Sequence, residues 1–209
     1  MNPEDLVRIR AHFERFPASL KGAFVMRGAD GNPHQVRIDE ARAVELAGHG
    51  SIGMGVTPAT VEVAPNRDLF VPFEFPITEL APGWYAIECS LAIDGAPRVV
   101  RPEARFAIPW PRGTTRRDRV SVGRSIQVGG ENVRVDAIEC ASDSTRLAYG
   151  GAEAAIAVVA DGAKVPVLEA SFDAETASGA VTTYPLLKTQ RELTVAVKGA
   201  SAPLRIRLP

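Results

Sequence analysis

Apolar and polar residues alternate along much of the chain, and the clearest run lies between Pro82 and Asp94. One face of this run carries Tyr85, Ile87, Cys89, Leu91 and Ile93. A period of two places alternate side chains on the same face, so the run predicts a β-strand of about ten residues. Pro82-Gly83 before it and Asp94-Gly95 after it are turn dipeptides, and the second is favoured in tight hairpins. The next strand is predicted over Arg98 to Ile108.

Shorter runs of the same kind occupy the rest of the first half. They predict strands at Val7–Phe13, Ala23–Met26, Val36–Ile38, Val61–Val63 and Phe70–Ile77. Pro72 and Pro76 fall on the outer face of the last of these, which predicts an edge strand because proline cannot donate to a neighbour. The stretch Asp39–Ala47 contains good helix formers before Gly48, so it is either a helix or a continuation of the preceding strand. The total of about seven strands is typical of a β-sandwich.

The composition changes after residue 108. Pro109-Trp110-Pro111 is stiff, and five arginines then follow within 13 residues. We place a domain boundary here, with predicted domains over 1–109 and 120–209 and a Pro/Arg-rich linker over 110–119. The second half resumes with short predicted strands: Ser125–Val128, Val133–Cys140, Thr145–Tyr149, Ala154–Ala160, Val165–Leu168, Val181–Pro185, Leu193–Val197 and Leu204–Leu208.

The residues Leu80-Ala81-Pro82-Gly83-Trp84-Tyr85 carry a family resemblance. The pattern Leu-x-Pro-Gly-x-Tyr resembles the corner before the penultimate strand of immunoglobulin-like and fibronectin III-like sandwiches. Tyr85 and Cys89 are four residues apart, which differs from the spacing of the antibody disulfide framework. The stretches 129–135 and 142–145 resemble small bacterial immunoglobulin-like modules. The expected fold class is therefore all-β, with two tandem immunoglobulin-like sandwiches, and this superfold serves many unrelated functions.

An alternative resemblance leads to a related architecture. The stretch Phe70–Pro76 resembles the P-F-x-F-x-P segment of arrestin-like proteins, which would imply an arrestin-like pair of sandwiches.

Composition narrows the class of function. The net charge is −1, so no overall field attracts nucleic acid or an anionic membrane. No apolar run reaches the roughly 20 residues of a membrane span, and the amino terminus has no signal-peptide pattern, so a cytoplasmic protein is expected. Cys89 and Cys140 lack the C-x-x-C spacing of a metal or redox site.

One glycine-rich stretch matches a phosphate-binding pattern. Gly48, His49, Gly50, Gly53 and Gly55 fit G-x-G-x-x-G, in which bare backbone wraps phosphate groups. The context is wrong, because a dinucleotide fold requires a helix after this loop and a strand follows instead. The stretch is interpreted as a flexible loop, and binding of a small ligand or metal there is an alternative.

The other reactive residues form no catalytic pattern. His12, His34 and His49 are far apart, and the pairing of His34 with Asp39 and Glu40 is the least remote candidate for a metal site. No G-x-S-x-G motif occurs, and neither cysteine has a histidine nearby in sequence. The sequence therefore predicts no enzyme activity, no metal and no cofactor.

The arginines after the boundary are the strongest charge feature. Arg112, Arg116, Arg117 and Arg119, together with Trp110, are candidates for binding a partner. They are interpreted first as a solvated linker, and binding of phosphate or nucleic acid is an alternative with little aromatic support. The leading hypothesis is a non-enzymatic protein–protein interaction module, a cytoplasmic adaptor or scaffold. Its partner is unknown, and self-association is left open.

Overall fold

The computed structural model describes residues 6–48, 51–54 and 59–209, with backbone alone for 51–54 and for residue 75. The described residues form mainly β-strands and turns. They include no helix that is long and apolar enough to cross a membrane. The chain divides into two compact units at Ile108 and Pro109. The all-β class predicted from the alternation is therefore confirmed.

The first unit contains nine described strands. They are β1 (Val7–Arg15), β2 (Ser19–Gly28), β3 (His34–Glu45), β4 (Ser51–Met54), β5 (Ala59–Val63), β6 (Leu69–Pro76), β7 (Gly83–Ile93), β8 (Ala96–Val100) and β9 (Arg105–Ile108). One sheet has the order β1-β2-β6. In the other, β3 and β7 are the central strands, β4 and β5 pair with β3, and β8 and β9 pair with β7.

The core of the first unit lies between these two sheets. Its members alternate along their strands as predicted, and they include Leu20, Phe24 and Met26 from β2 and Ile87, Cys89, Leu91 and Ile93 from β7. In immunoglobulin-type sandwiches the first two strands lie beside the fifth, while the third lies beside the sixth. In the first unit, β1 pairs with β2 and β2 pairs with β6, while β3 pairs with β7.

The Leu-x-Pro-Gly-x-Tyr stretch forms a corner at the start of β7. The Tyr85 hydroxyl donates a hydrogen bond to the C=O of Ala81 (2.9 Å), which is the bond of a tyrosine corner. The Tyr85 ring is buried and stacks on Phe106 at 5.4 Å between centroids. This corner fixes the direction in which the chain enters the central strand of its sheet.

The stretch Asp39–Ala47 continues β3 rather than forming a helix. Ala41 and Ala43 are fully buried, and both pair with β7. A helix would remove these residues from the sheet, so the tertiary burial of alternate positions overrides the local helix propensity. The predicted strand 98–108 is divided into β8 and β9 by residues 101–104.

The second unit also contains nine described strands. They are β10 (Arg119–Val128), β11 (Glu131–Cys140), β12 (Thr145–Gly151), β13 (Ile156–Ala160), β14 (Ala163–Val165), β15 (Val167–Asp173), β16 (Ser178–Thr183), β17 (Glu192–Val197) and β18 (Leu204–Arg207). Its sheets have the orders β10-β11-β12-β16-β15 and β14-β13-β17-β18. Three consecutive strands thus lie side by side, which differs from the immunoglobulin order.

Candidate functional site

The predicted linker pairs with another segment of the second unit. Thr115 forms an antiparallel bridge with Leu187. The N–H of Arg116 donates to the C=O of Leu186 (2.8 Å), and the N–H of Lys188 donates to the C=O of Thr114 (2.8 Å). Residues 114–116 are therefore held by a short ladder to 186–188, where the sequence suggested a solvated linker.

Arg116 anchors this ladder. Its side chain is 6% exposed, and it donates to Asp118 Oδ2 (2.7 Å) and to the C=O of Pro209 (2.8 Å). A longer bond reaches the C=O of Gln190 (3.4 Å). The bond from Arg116 holds the pKa of Asp118 below its usual range. A buried guanidinium that satisfies several acceptors fixes its neighbours in position, so Arg116 has a structural role.

Four other cations surround this anchor, and we call them the basic surface: Arg112, Arg117, Lys188 and Arg191. All four are exposed. Arg117, Lys188 and Arg191 line a depression of about 540 Å³ together with Arg116, Pro209 and Asp118, whose carboxylate is paired with Arg116. Arg112, Arg117 and Lys188 line another of about 520 Å³. Among the residues that the structure describes, no carboxylate forms an ion pair with any of the four.

The geometry of the basic surface suits an anionic ligand. Arg117 and Lys188 line both depressions, so one anionic group could reach both side chains. Guanidinium and ammonium groups donate charge-assisted hydrogen bonds to carboxylate and phosphate oxygens. Because the ladder and Arg116 hold the backbone beneath, these cations project from an ordered base.

The arginines that form one group in the sequence have different environments in the fold. Arg112 and Arg117 belong to the basic surface, while Arg116 is the buried anchor. Arg119 lies 3.5 Å from Glu139 in an ion pair, and Arg124 donates to the C=O of Arg205 (2.9 Å). Sequence reasoning missed Lys188 and Arg191, because they follow the linker by about 70 residues and reach it through the Thr115–Leu187 bridge.

Trp110 packs within the second unit. Its ring meets Tyr184 edge to face, with 5.6 Å between centroids. The indole is half-buried. Its contact with Tyr184 therefore leaves it poorly placed to act as a free platform for stacking bases.

The glycine-rich stretch lies partly in a strand. Gly48 occupies a turn with φ +82°, and Gly53 belongs to β4, where it pairs with Arg42 of β3. His49, Gly50 and Gly55 lie outside the described residues. A dinucleotide-binding loop would begin a helix at this point, whereas β4 is extended backbone.

The sequence suggested a pairing of His34 with Asp39 and Glu40, but His34 contacts two other carboxylates. Its Nδ1 lies 2.7 Å from Asp94 Oδ2 and its Nε2 lies 2.8 Å from Asp30 Oδ1. Asp39 and Glu40 instead pair with Arg37 and Arg42. Within the described part of the chain, no three His, Cys, Asp or Glu side chains are arranged to hold a metal ion.

Both cysteines are free thiols of low reactivity. Burial raises the pKa of Cys89 to about 12 and that of Cys140 to about 11. The thiolate is the reactive form, and both thiols are protonated at neutral pH. Neither therefore has the character of an activated nucleophile.

No family model and no curated protein matches the chain. One solved structure, described as the conserved domain protein from Bacillus anthracis, aligns with 97% of this chain and 87% of its own, at 10% identity and a TM-score of 0.39. A likeness at this level carries no information about function.

Proposed function

We propose that the protein is a non-enzymatic interaction protein that binds acidic segments of partner proteins through the basic surface. The observation that supports this is the grouping of Arg112, Arg117, Lys188 and Arg191 around two adjoining depressions. These four side chains are exposed and form no ion pair among the described residues, and together they line the same two depressions. Cations left without partners on an ordered base are available to a partner's carboxylates.

An acidic protein segment fits this surface better than a nucleic acid does. The cations are confined to two depressions of about 540 and 520 Å³, and the net charge of the chain is −1. Nucleic-acid binding draws on a longer basic path with aromatic residues between the charges. Trp110, the nearest candidate aromatic residue, is engaged with Tyr184.

We place this interaction in the cytoplasm. Cys89 and Cys140 are both unpaired thiols. Free thiols are typical of proteins in reducing compartments, which supports the cytoplasmic assignment.

The test is fluorescence anisotropy with a labelled ten-residue peptide in which Glu and Gly alternate. The double substitution Arg117→Ala and Lys188→Ala removes the two cations common to both depressions, and we expect it to weaken binding at least about tenfold. The matched control is Lys164→Ala with Lys198→Ala, which removes two exposed cations from elsewhere in the same unit. It should bind the peptide like the wild type.

Two results would contradict the proposal. In the first, the Arg117/Lys188 variant and the Lys164/Lys198 variant bind the peptide equally. In the second, a single-stranded oligothymidine binds the wild type more tightly than the peptide does, with a steep salt dependence that the Arg117/Lys188 variant reduces. That second result would assign the surface to nucleic acid.

A further inference from the structure

The outer edge of β1 presents unpaired backbone groups in the first unit. The C=O of Leu6 accepts from the N–H of Ala29 (2.8 Å), and the N–H of Phe16 donates to the C=O of Ser19 (2.8 Å). The pairing of β1 with β2 has no register shift between these points. Hydrogen-bonded pairs recur at every second residue of an antiparallel ladder, and both bonds above involve even-numbered residues just beyond the ends of β1. The even-numbered residues of β1 therefore bond to β2. The N–H and C=O groups of Ile9 and Ala11 therefore face the open edge, and no described strand pairs with them.

The other edge strands of the described residues are each short, irregular in register or interrupted by proline. β6 carries Pro72 and Pro76, and the bond from the N–H of Ile77 to the C=O of Ala18 shows that these prolines face outward. A register shift interrupts the pairing of β10 with β11, and another interrupts the pairing of β15 with β16. β4, β5, β8, β9, β14 and β18 are three to five residues long. β1 has nine residues, a continuous register and no proline, so its protection against an added strand is limited to its charged side chains.

A groove runs along the same edge. It has a volume of about 490 Å³ and lies between Arg8–His12 of β1 and Arg101–Glu103, the segment that separates β8 from β9. Next to the groove along β1, the rings of Phe13 and Phe106 meet with 5.8 Å between centroids. At the end of β1, Arg15 donates to the C=O of Ala107 (2.8 Å), which ties this end of the strand to β9. The groove therefore borders about five residues of β1, or about 17 Å of extended chain.

We propose that this groove binds an extended segment of a partner protein, which adds to the first sheet as a strand beside β1. Main-chain bonds to Ile9 and Ala11 would hold the segment, as in other cases of strand addition. Arg101–Glu103 forms the second wall of the groove.

The side chains of β1 define the sequence of this partner. Arg8 and Arg10 are exposed on one face and have no ion pair among the described residues, whereas Ile9 is buried on the other face. Side chains of opposite residues in paired strands lie on the same face. The segment therefore alternates acidic residues, opposite Arg8 and Arg10, with apolar residues, opposite Ile9 and Ala11.

A second copy of β1 fits the edge less well. Antiparallel pairing of two β1 strands centred on Ile9 or on Arg10 places arginines opposite arginines. Pairing centred on Ala11 or on His12 places Glu14, the single carboxylate of β1, opposite only one of its first two arginines. Like charges directly opposite each other destabilise a strand pair. The charge pattern thus favours an acidic partner segment over self-association.

The test uses the full chain and an eight-residue peptide in which Glu and Val alternate, with blocked ends. We expect the peptide to bind and to slow hydrogen exchange at the Ile9 and Ala11 amides in NMR spectra. The matched control is the same peptide with two central valines N-methylated, which keeps the charge but removes backbone donors. We expect it to bind at least tenfold more weakly, and equal binding would overturn strand addition.

Two variants examine the edge from the side of the protein. Ala11→Pro removes an outward N–H while leaving the bonds to β2 in place, and we expect it to lose at least tenfold in affinity. If it fails to fold, the N-methylated peptide still decides the question. Arg10→Glu should bind the peptide more weakly and should prefer a Lys–Val version. Protection of Ile9 and Ala11 without peptide, in a protein that sediments as a dimer, would show self-pairing and overturn the proposal.

Discussion

His34 and Asp94 join the start of one central strand to the turn at the end of its neighbour. The His34 Nδ1 lies 2.7 Å from Asp94 Oδ2, and the other Asp94 oxygen accepts from the N–H of Gln35 (2.9 Å). His34 begins β3, while Asp94 has φ +48° in the hairpin turn between β7 and β8. On its other side His34 contacts Asp30, in the turn between β2 and β3. One buried imidazole thus connects two turns, and it can donate to both carboxylates at once when it is protonated.

The stability of the first unit should depend on pH in a defined direction. Bonds to Asp94 and Asp30 raise the pKa of His34 above its ordinary value of 6.5. A raised pKa gives stability that is full below about pH 6.5 and is lost as the pH rises through the folded value. Bonds from His34 lower the pKa of Asp30 to about 2 and also lower that of Asp94. The stability that these two carboxylates contribute is full above about pH 4 and is lost as the pH falls through their lowered pKa values.

We therefore expect the melting temperature to be highest near pH 5 to 6 and to decline towards pH 9. His34→Gln removes the titrating group, so it should lower the melting temperature near pH 6 and flatten the decline above it. Thermal unfolding from pH 5 to 9, followed by circular dichroism, measures both effects. The control is His12→Gln, which changes an exposed histidine on β1. An unchanged alkaline decline in His34→Gln would show that other groups cause it.

The hydroxyl of Tyr85 should contribute measurably to the stability of the corner. Tyr85→Phe keeps the ring and its stacking on Phe106 but deletes the bond to the C=O of Ala81. We expect a loss of about 1 kcal/mol in the free energy of unfolding, as is typical of one partly buried hydrogen bond. Urea denaturation of wild type and variant gives this difference. A variant as stable as the wild type would show that water replaces the lost bond without cost.

Strand positions could be predicted here because burial in a sandwich imposes a period of two. The alternation from Tyr85 to Ile93 predicts the buried face of β7, and the two outward prolines of β6 predict its edge position. Asp39–Ala47 was ambiguous, since its alanines suit a helix equally well and the burial of Ala41 and Ala43 depends on β7. The strand order of the second unit depends on long-range pairing that no local pattern specifies.

The candidate site could be predicted in part. A cluster of arginines is visible in sequence, but its division into the buried Arg116 and the exposed Arg117 requires the ladder to 186–188. Lys188 and Arg191 carry no local signal that connects them to that cluster. The same holds for the edge of β1, where the alternation predicted a strand but could not show which of its sides lacks a neighbour.

Gly150 and Gly179 belong to neighbouring cross-strand pairs of β12 and β16, and they should respond differently to an added methyl group. A Cβ at Gly179 would lie within 2.6 Å of Tyr149 Cε1, whose ring is buried and stacks on Phe172. A Cβ at Gly150, in the neighbouring cross-strand pair, meets no atom closer than 3.5 Å. We expect Gly179→Ala to lose about 1–3 kcal/mol through overpacking. Gly150→Ala should be neutral or gain up to about 1 kcal/mol by restricting the unfolded chain. Equal effects in urea denaturation would contradict this account.

Arg116 and Arg117 are neighbours in sequence and should differ sharply when each is changed to lysine. Arg116→Lys keeps the charge, but an ammonium group cannot reproduce the planar set of bonds to Asp118 and Pro209. We expect a loss of about 2 kcal/mol in the free energy of unfolding, because acceptors around a buried site lose charge-assisted bonds. Arg117→Lys, at an exposed position, should change stability by less than about 0.5 kcal/mol. Urea denaturation of the two variants measures the difference. If both variants match the wild type, Arg116 does not anchor the segment, and the cations of the basic surface would then be held by the ladder to 186–188 alone.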